Sequence, residues 1–192
     1  MLLHRIVALS LLTLSTSALA DAIDLNLSDT SVQFQYQSAL GRDALGKTEF
    51  HIGVLYVDRN NLMSDFGILA KDELGSSVPG VSVGVGIKGV VAKVRGDNSF
   101  NSTASALALG AMVRYSPPGI SRLGIVTQVY LSPSIVTFGD ANRYVEAQVR
   151  AEYEVIPEST VYLGYRKIGF GIKTQPFAVL DQGFNIGVRI SF

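Results

Sequence analysis

Q-G-F-N-I-G-V-R-I-S-F, residues 182–192, is the stretch whose reading decides the fold. Phe184, Ile186, Val188, Ile190 and Phe192 alternate without a break with Gly183, Asn185, Gly187, Arg189 and Ser191. Successive side chains of a strand point to opposite sides, so this segment has one wholly apolar face and one small or polar face. In water, an apolar edge strand ending on an aromatic ring invites aggregation. It is harmless where its backbone pairs with a first strand and its apolar face meets lipid. The expectation is an all-β fold, a transmembrane antiparallel up-and-down β-barrel, with these five side chains facing hydrocarbon.

The other end of the sequence supplies an address. His4 and Arg5 precede an apolar run over residues 6–14, and Ala18-Leu19-Ala20 places small residues three and one before a cut. Residues 1–20 read as a cleaved signal peptide and residues 21–192 as one outer-membrane barrel domain. The apolar run is much shorter than the roughly 20 residues of a spanning helix, so it does not read as an anchor. With no cysteine in the sequence, a lipoprotein, disulfides and thiolate metal sites are all excluded. Removing residues 1–20 takes away Arg5 and leaves 15 Lys+Arg against 16 Asp+Glu, so nothing attracts nucleic acid. Mean hydropathy is +0.30, and after residue 20 the apolar residues are dispersed by alternation, which suits strands that are apolar on one side only.

All six prolines, at 79, 117, 118, 133, 157 and 176, are read as falling between periodic segments, since proline cannot donate to a sheet ladder. Strands are expected over 23–28, 31–39, 48–57, 62–71, 81–94, 103–115, 123–131, 142–156, 160–170 and 182–192. That makes about ten, with eight as the alternative, because single-chain barrels of this kind have even strand numbers. Turns at 38–47, 72–80, 116–122 and 157–159 are expected on the periplasmic side. Loops at 28–30, 58–61, 95–102, 132–141 and 171–181 are expected outside.

The clearest middle segment, 142–156, sets Val145, Ala147, Val149, Ala151, Tyr153 and Val155 against Tyr144, Glu146, Gln148, Arg150, Glu152 and Glu154. In 81–88 the inward phase is Ser82, Gly84, Gly86 and Lys88; small residues there leave room for large neighbours in a narrow barrel. The G-V-G-I-K-G stretch within it lacks the Gly-Lys-Ser/Thr ending of a phosphate loop. Phe34, Tyr56, Tyr115, Tyr153, Tyr162, Phe184 and Phe192 lie near strand ends, where rings form interfacial girdles. Lys167 falls on the lipid phase of Val161, Leu163 and Tyr165, so it must snorkel at the rim or mark a bulge.

Candidate site residues are the charges on inward phases: Glu49, Asp65, Lys88, Arg114, Glu146, Arg150, Glu152, Arg166 and Arg189. In a lumen only slightly wider than its side chains, opposite charges should interdigitate and plug it, and pairing acids such as Glu146, Glu152 or Glu154 with arginines offsets the cost of burial. His51 is the only histidine after residue 20 and falls on the inward phase. It cannot supply a multi-histidine metal site, and no motif singles out a nucleophile for it, so neither cofactor nor enzymatic activity is expected.

These segments also carry a resemblance. A-I-D-L-N-L-S-D from Ala22, T-F-G-D-A-N-R-Y from Thr137, A-E-Y-E-V-I-P from Ala151, V-Y-L-G-Y-R-K-I from Val161 and the closing G-F-N-I-G-V-R-I-S-F resemble the YfaZ family of outer-membrane proteins. The likeness spans nearly all of residues 21–192 and is more specific in the second half. It implies an exported barrel of a Gram-negative bacterium and supplies no catalytic residues.

The function expected is therefore that of an integral outer-membrane barrel, structural or engaged in surface interactions, with a charge-plugged lumen. Its expected partners are outer-membrane lipids and, during biogenesis, the barrel-assembly machinery; its ligand, if any, is unknown. Three alternatives stay open: a narrow pore for small solutes, a lipid-modifying enzyme centred on His51, and a soluble periplasmic lipocalin-like binder with the faces reversed.

Overall fold

The computed structural model describes residues 21–43, 46–58, 61–75, 78–95, 101–120, 122–173 and 175–192. The signal-peptide expectation for residues 1–20 lies outside these, as does the middle of the loop expected at 95–102. Strands β1 (Asp21–Ser28), β2 (Ser31–Asp43), β3 (Gly46–Val57), β4 (Asn61–Glu73), β5 (Val81–Arg95), β6 (Asn101–Tyr115), β7 (Leu123–Ser132), β8 (Thr137–Gly139), β9 (Ala141–Ile156), β10 (Ser159–Ile172) and β11 (Gln175–Ser191) follow one another in the chain. Each barrel strand pairs antiparallel with its neighbours in sequence, and β1 pairs with β11 to close the ring. Leu25 lies opposite Val188 and Ala22 opposite Ser191. Phe192 completes the seam, since its amide donates to the Asp21 carbonyl at 2.8 Å and its carbonyl accepts from the Asp21 amide at 3.0 Å.

The ring has ten staves, because β7 and β8 together make one. Leu131 of β7 pairs with Leu109 of β6, and Thr137 of β8 pairs with Ala106. Six steps of chain on one side therefore match three on the other. The surplus, at Pro133 and a 3-10 turn at Ser134–Val136, leaves the wall as a bulge that holds Ile135 out in the open.

The outward phases are mostly apolar. Phe184, Ile186, Val188, Ile190 and Phe192 all face out, Phe184 being 73% exposed. Leu25, Phe34, Ile52, Phe66, Ile87, Leu109 and Leu163 from other strands join them. Water-soluble monomers do not carry an apolar belt around the whole body. Hydrocarbon accepts one, because every backbone donor in a closed ring is already paired.

Several details differ from the sequence reading. The segment at 171–181, read as a loop, is strand: β10 runs to Ile172 and β11 starts at Gln175. Pro176, read as a loop marker, is the second residue of β11, at the rim, where a missing N–H costs the ladder least. Tyr162, grouped with the girdle aromatics, points inward and is buried, whereas Phe34, Tyr56, Tyr115, Tyr153, Phe184 and Phe192 are exposed outside. Its strand phase explains this, since Val161, Leu163 and Tyr165 take the outer face. Lys167 does face outward, and the register of β10 against β11 slips just beyond it, between Ile168 and Gly169.

Glycines on the inner wall make space for the largest inward rings. A Cβ on Gly110 would fall 2.2 Å from the Tyr130 ring, and one on Gly187 equally close to that of Tyr162. Nothing but hydrogen fits at either position.

Candidate functional site

The lumen is divided along its axis. Towards the end opposite residues 21 and 192, the inward positions of nearly every stave are apolar: Leu55, Met63, Val90, Tyr130, Tyr144, Ile168 and Phe170 form one buried cluster with Ala92, Ala104 and Ala108. Tyr144 and Phe170, paired across β9 and β10, stack with centroids 4.9 Å apart. This layer was not foreseen. It adds to the expected charges a second kind of filling, hydrocarbon and rings, in the far half of the lumen. A signal was present: at these strand ends both phases are apolar, as in Leu55-Tyr56-Val57 and Val90-Val91-Ala92.

Below the apolar layer lies a buried ionic group. Lys88 donates to both carboxylate oxygens of Glu146, at 3.1 and 3.0 Å, and reaches Asp65 at 3.8 Å. Its ammonium also lies 4.6 Å from the Tyr130 ring centroid, and the Tyr144 hydroxyl donates to Glu146. His51 places Nε2 3.6 Å from Asp65 Oδ1. A second group ties the seam to its neighbours: the Arg166 guanidinium, 1% exposed, holds Asp181 at 2.7 Å through one terminal nitrogen. Its Nε donates to the same oxygen at 2.8 Å, and its other contacts are Gln33 and, at 3.3 Å, Ser31. Asp181 was hidden from sequence analysis by the reading of 171–181 as loop.

Nearer the end that carries residues 21 and 192, three arginines converge on two acids. Arg114 and Arg150 each approach Glu152 at 2.7 Å, and Arg189 reaches it at 3.5 Å. Arg189 also donates to Asp24 at 2.9 and 3.1 Å. The Tyr162 hydroxyl donates to Asp24 and accepts from Asn26 at 3.0 Å, while Arg150 lies over its ring at 5.0 Å. Asp24 was not among the expected site residues, although the polar phase of I-D-L-N-L placed it inside. On the opposite side of the ring, Glu49 is held by Lys71 at 2.6 Å and Lys47 at 3.3 Å. All nine expected lumen charges thus point inward, in four separate groups. Glu154, offered as a further partner, is exposed near the end of β9.

These groups do not fill the barrel. A cavity of about 430 Å³ remains, running from the rim at Asp72, Glu73, Gly80 and Ser116 down to Lys88 and Glu146. Glutamines 35, 37, 128 and 148 line it between the two cationic walls. The site is a polar cup with its floor at the ionic group and the apolar layer beneath.

The chain matches the family model YfaZ, described as YfaZ precursor, over residues 2–192. No curated protein matches it. A solved structure described as "Unveiling the Mechanism Behind the in-meso Crystallization of Membrane Proteins" is similar, with 12% identity, 91% of this chain and 83% of that chain covered, and a TM-score of 0.47.

Proposed function

The chain belongs to the YfaZ precursor family, and from that premise we propose that it is an integral barrel of the bacterial outer membrane whose lumen does not conduct. One observation carries the second half of that reading: the layer of Leu55, Met63, Val90, Tyr130, Tyr144, Ile168 and Phe170 is buried across the lumen. A solute crossing the barrel would have to displace side chains that each contribute about 1.5–3 kcal/mol by staying out of water. A narrow pore, the runner-up, would need those rings to part.

Location is supported by the apolar outer belt, by the signal-like residues 1–20 and by the description of the family as a precursor. The partners in this reading are the lipids that cover the belt and the barrel-assembly machinery, which would meet the apolar strand ending at Phe192. The end carrying residues 21 and 192 faces the periplasm, and so does the cup. His51 has no catalytic part in this reading: its Nε2 has no hydrogen-bond partner among the described residues and faces an acid, with no hydroxyl set against it.

Two measurements test the proposal. The protein should fractionate with outer membranes and stay there in carbonate washes, and the refolded barrel should add no current steps to a planar bilayer at 100 mV. Recovery in the periplasmic supernatant would overturn the location. Reproducible steps from the unaltered chain would overturn the closed lumen.

A further inference from the structure

The lumen is shut at one end and open at the other, which is the shape of a binding cup. Its volume of about 430 Å³ falls in the range of roughly 300–1,000 Å³ typical of small-molecule sites. Its charge is unevenly placed. On one wall Arg114, Arg150 and Arg189 meet only Glu152 and Asp24, so one guanidinium charge is left over. On the opposite wall Lys47 and Lys71 share Glu49, leaving one ammonium over. The acids are displaced along the axis: Asp72 and Glu73 stand at the rim, and on the floor Lys88 is shared by Glu146 and Asp65.

Arg150 is the residue best placed to use that excess. Its Nε lies 2.7 Å from Glu152 as an ion pair without a hydrogen bond, its guanidinium lies over the Tyr162 ring, and its side chain is only 13% exposed although it lines the cavity. Its two terminal nitrogens have no hydrogen-bond partner among the described residues. They form half of a fork suited to a carboxylate or phosphate. Beside it, the Gln148 amide is likewise unengaged among the described residues, and Gln128, opposite it across β7 and β9, is tied only to the Tyr130 hydroxyl at 3.2 Å. Amides both donate and accept, which is the chemistry that reads hydroxyl groups.

We propose that this cup binds a small acid-bearing polyol of about monosaccharide size, its carboxylate or phosphate held by Arg150 with Arg114 and Arg189, and its hydroxyls by Gln128 and Gln148. The site concerns the lumen alone; only the side from which the ligand enters rests on the reading of the barrel given above. A conducting bilayer record would sink the closed lumen without touching this site, and calorimetry in detergent tests the site without reference to a membrane.

The test is isothermal titration of the refolded barrel, residues 21–192, in an uncharged polyoxyethylene detergent, with glucose 6-phosphate, glucuronate and glucose as probes. Saturable binding of one or both anionic sugars is expected, and the stronger of the two identifies the acid group; glucose should give no saturable heat. Arg150→Gln should weaken the binding roughly tenfold or more. Gln148→Glu, which keeps the ion-pair groups intact and places a negative charge beside Arg150, should abolish it. The folded state of each variant is read from its faster gel migration before boiling. No saturable heat from either anion with the parent barrel, equal binding of glucose, or parental affinity in a folded Gln148→Glu or Arg150→Gln barrel would overturn the proposal.

Discussion

Replacing Arg166 with methionine tests how the seam is held. The guanidinium is 1% exposed and holds one oxygen of Asp181 with two nitrogens, at 2.7 and 2.8 Å, and makes further contacts to Gln33 and Ser31 on β2. Methionine fills much of the same volume, so the loss is electrostatic. Asp181 is left buried and uncompensated, with its Oδ1 already lacking a partner, which costs about 3–5 kcal/mol. The two β2 contacts add about 1 kcal/mol each. Arg166→Met should therefore lower stability by about 5–7 kcal/mol, measured by urea unfolding in vesicles with far-UV circular dichroism as the readout. Asp181→Leu in the same chain removes the stranded acid and should restore much of that loss, because a buried ion pair exchanged for apolar groups is often neutral. If Arg166→Met unfolds within about 1 kcal/mol of the parent, or if the double variant is less stable than the single losses added together, the seam is not held by this pair.

Further outcomes follow from the inner wall and the terminal strand. Gly110→Ala should destabilise the barrel by about 1–3 kcal/mol, because its methyl meets the Tyr130 ring in a packed interior; adding Tyr130→Leu should recover part of the loss in the same unfolding assay. Phe170→Ala removes a ring with no solvent exposure that stacks on Tyr144 and should cost about 3–5 kcal/mol. Combined with Tyr144→Ala it should also raise bilayer current above the parent's baseline. Removing Phe192 deletes the two seam hydrogen bonds to Asp21 and an outward ring; folding into vesicles, followed by the gel-migration shift, should slow, and an unchanged rate would show that the last ring is dispensable.

Alternation made most of the barrel legible. Strand phase alone set Glu146, Arg150 and Glu152 inside and Val145, Val149 and Tyr153 outside, because period two is a strict geometric consequence of the pleat. It said less where that period breaks. Val90-Val91-Ala92 and Ile168-Gly169-Phe170 are apolar on both phases, and a run of that kind carries no sign of which residues meet lipid and which seal the lumen. The slip at Ile168/Gly169 and the surplus residues at 133–136 are register events, visible only once partners are known. Partner choice was equally hidden: phase places Arg166 on the inside, but only the ring brings Asp181 of β11 and Gln33 of β2 to the same guanidinium.

Nine of the ten pairings around the ring of described strands join staves that succeed one another along the chain, and one, β1 with β11, does not. Hairpins close quickly because little chain must be gathered, whereas the final union brings together positions 171 apart in the sequence, Asp21 and Phe192. The entropic cost of that last step grows only with the logarithm of the separation, so its height is modest but its timing is fixed. Until it happens, two rows of unmatched amides and carbonyls stand open, and in hydrocarbon they would find no partner. On the membrane reading proposed above, closure is coupled to insertion, and any agent that delays the seam would leave a curled, adhesive ribbon waiting at the surface.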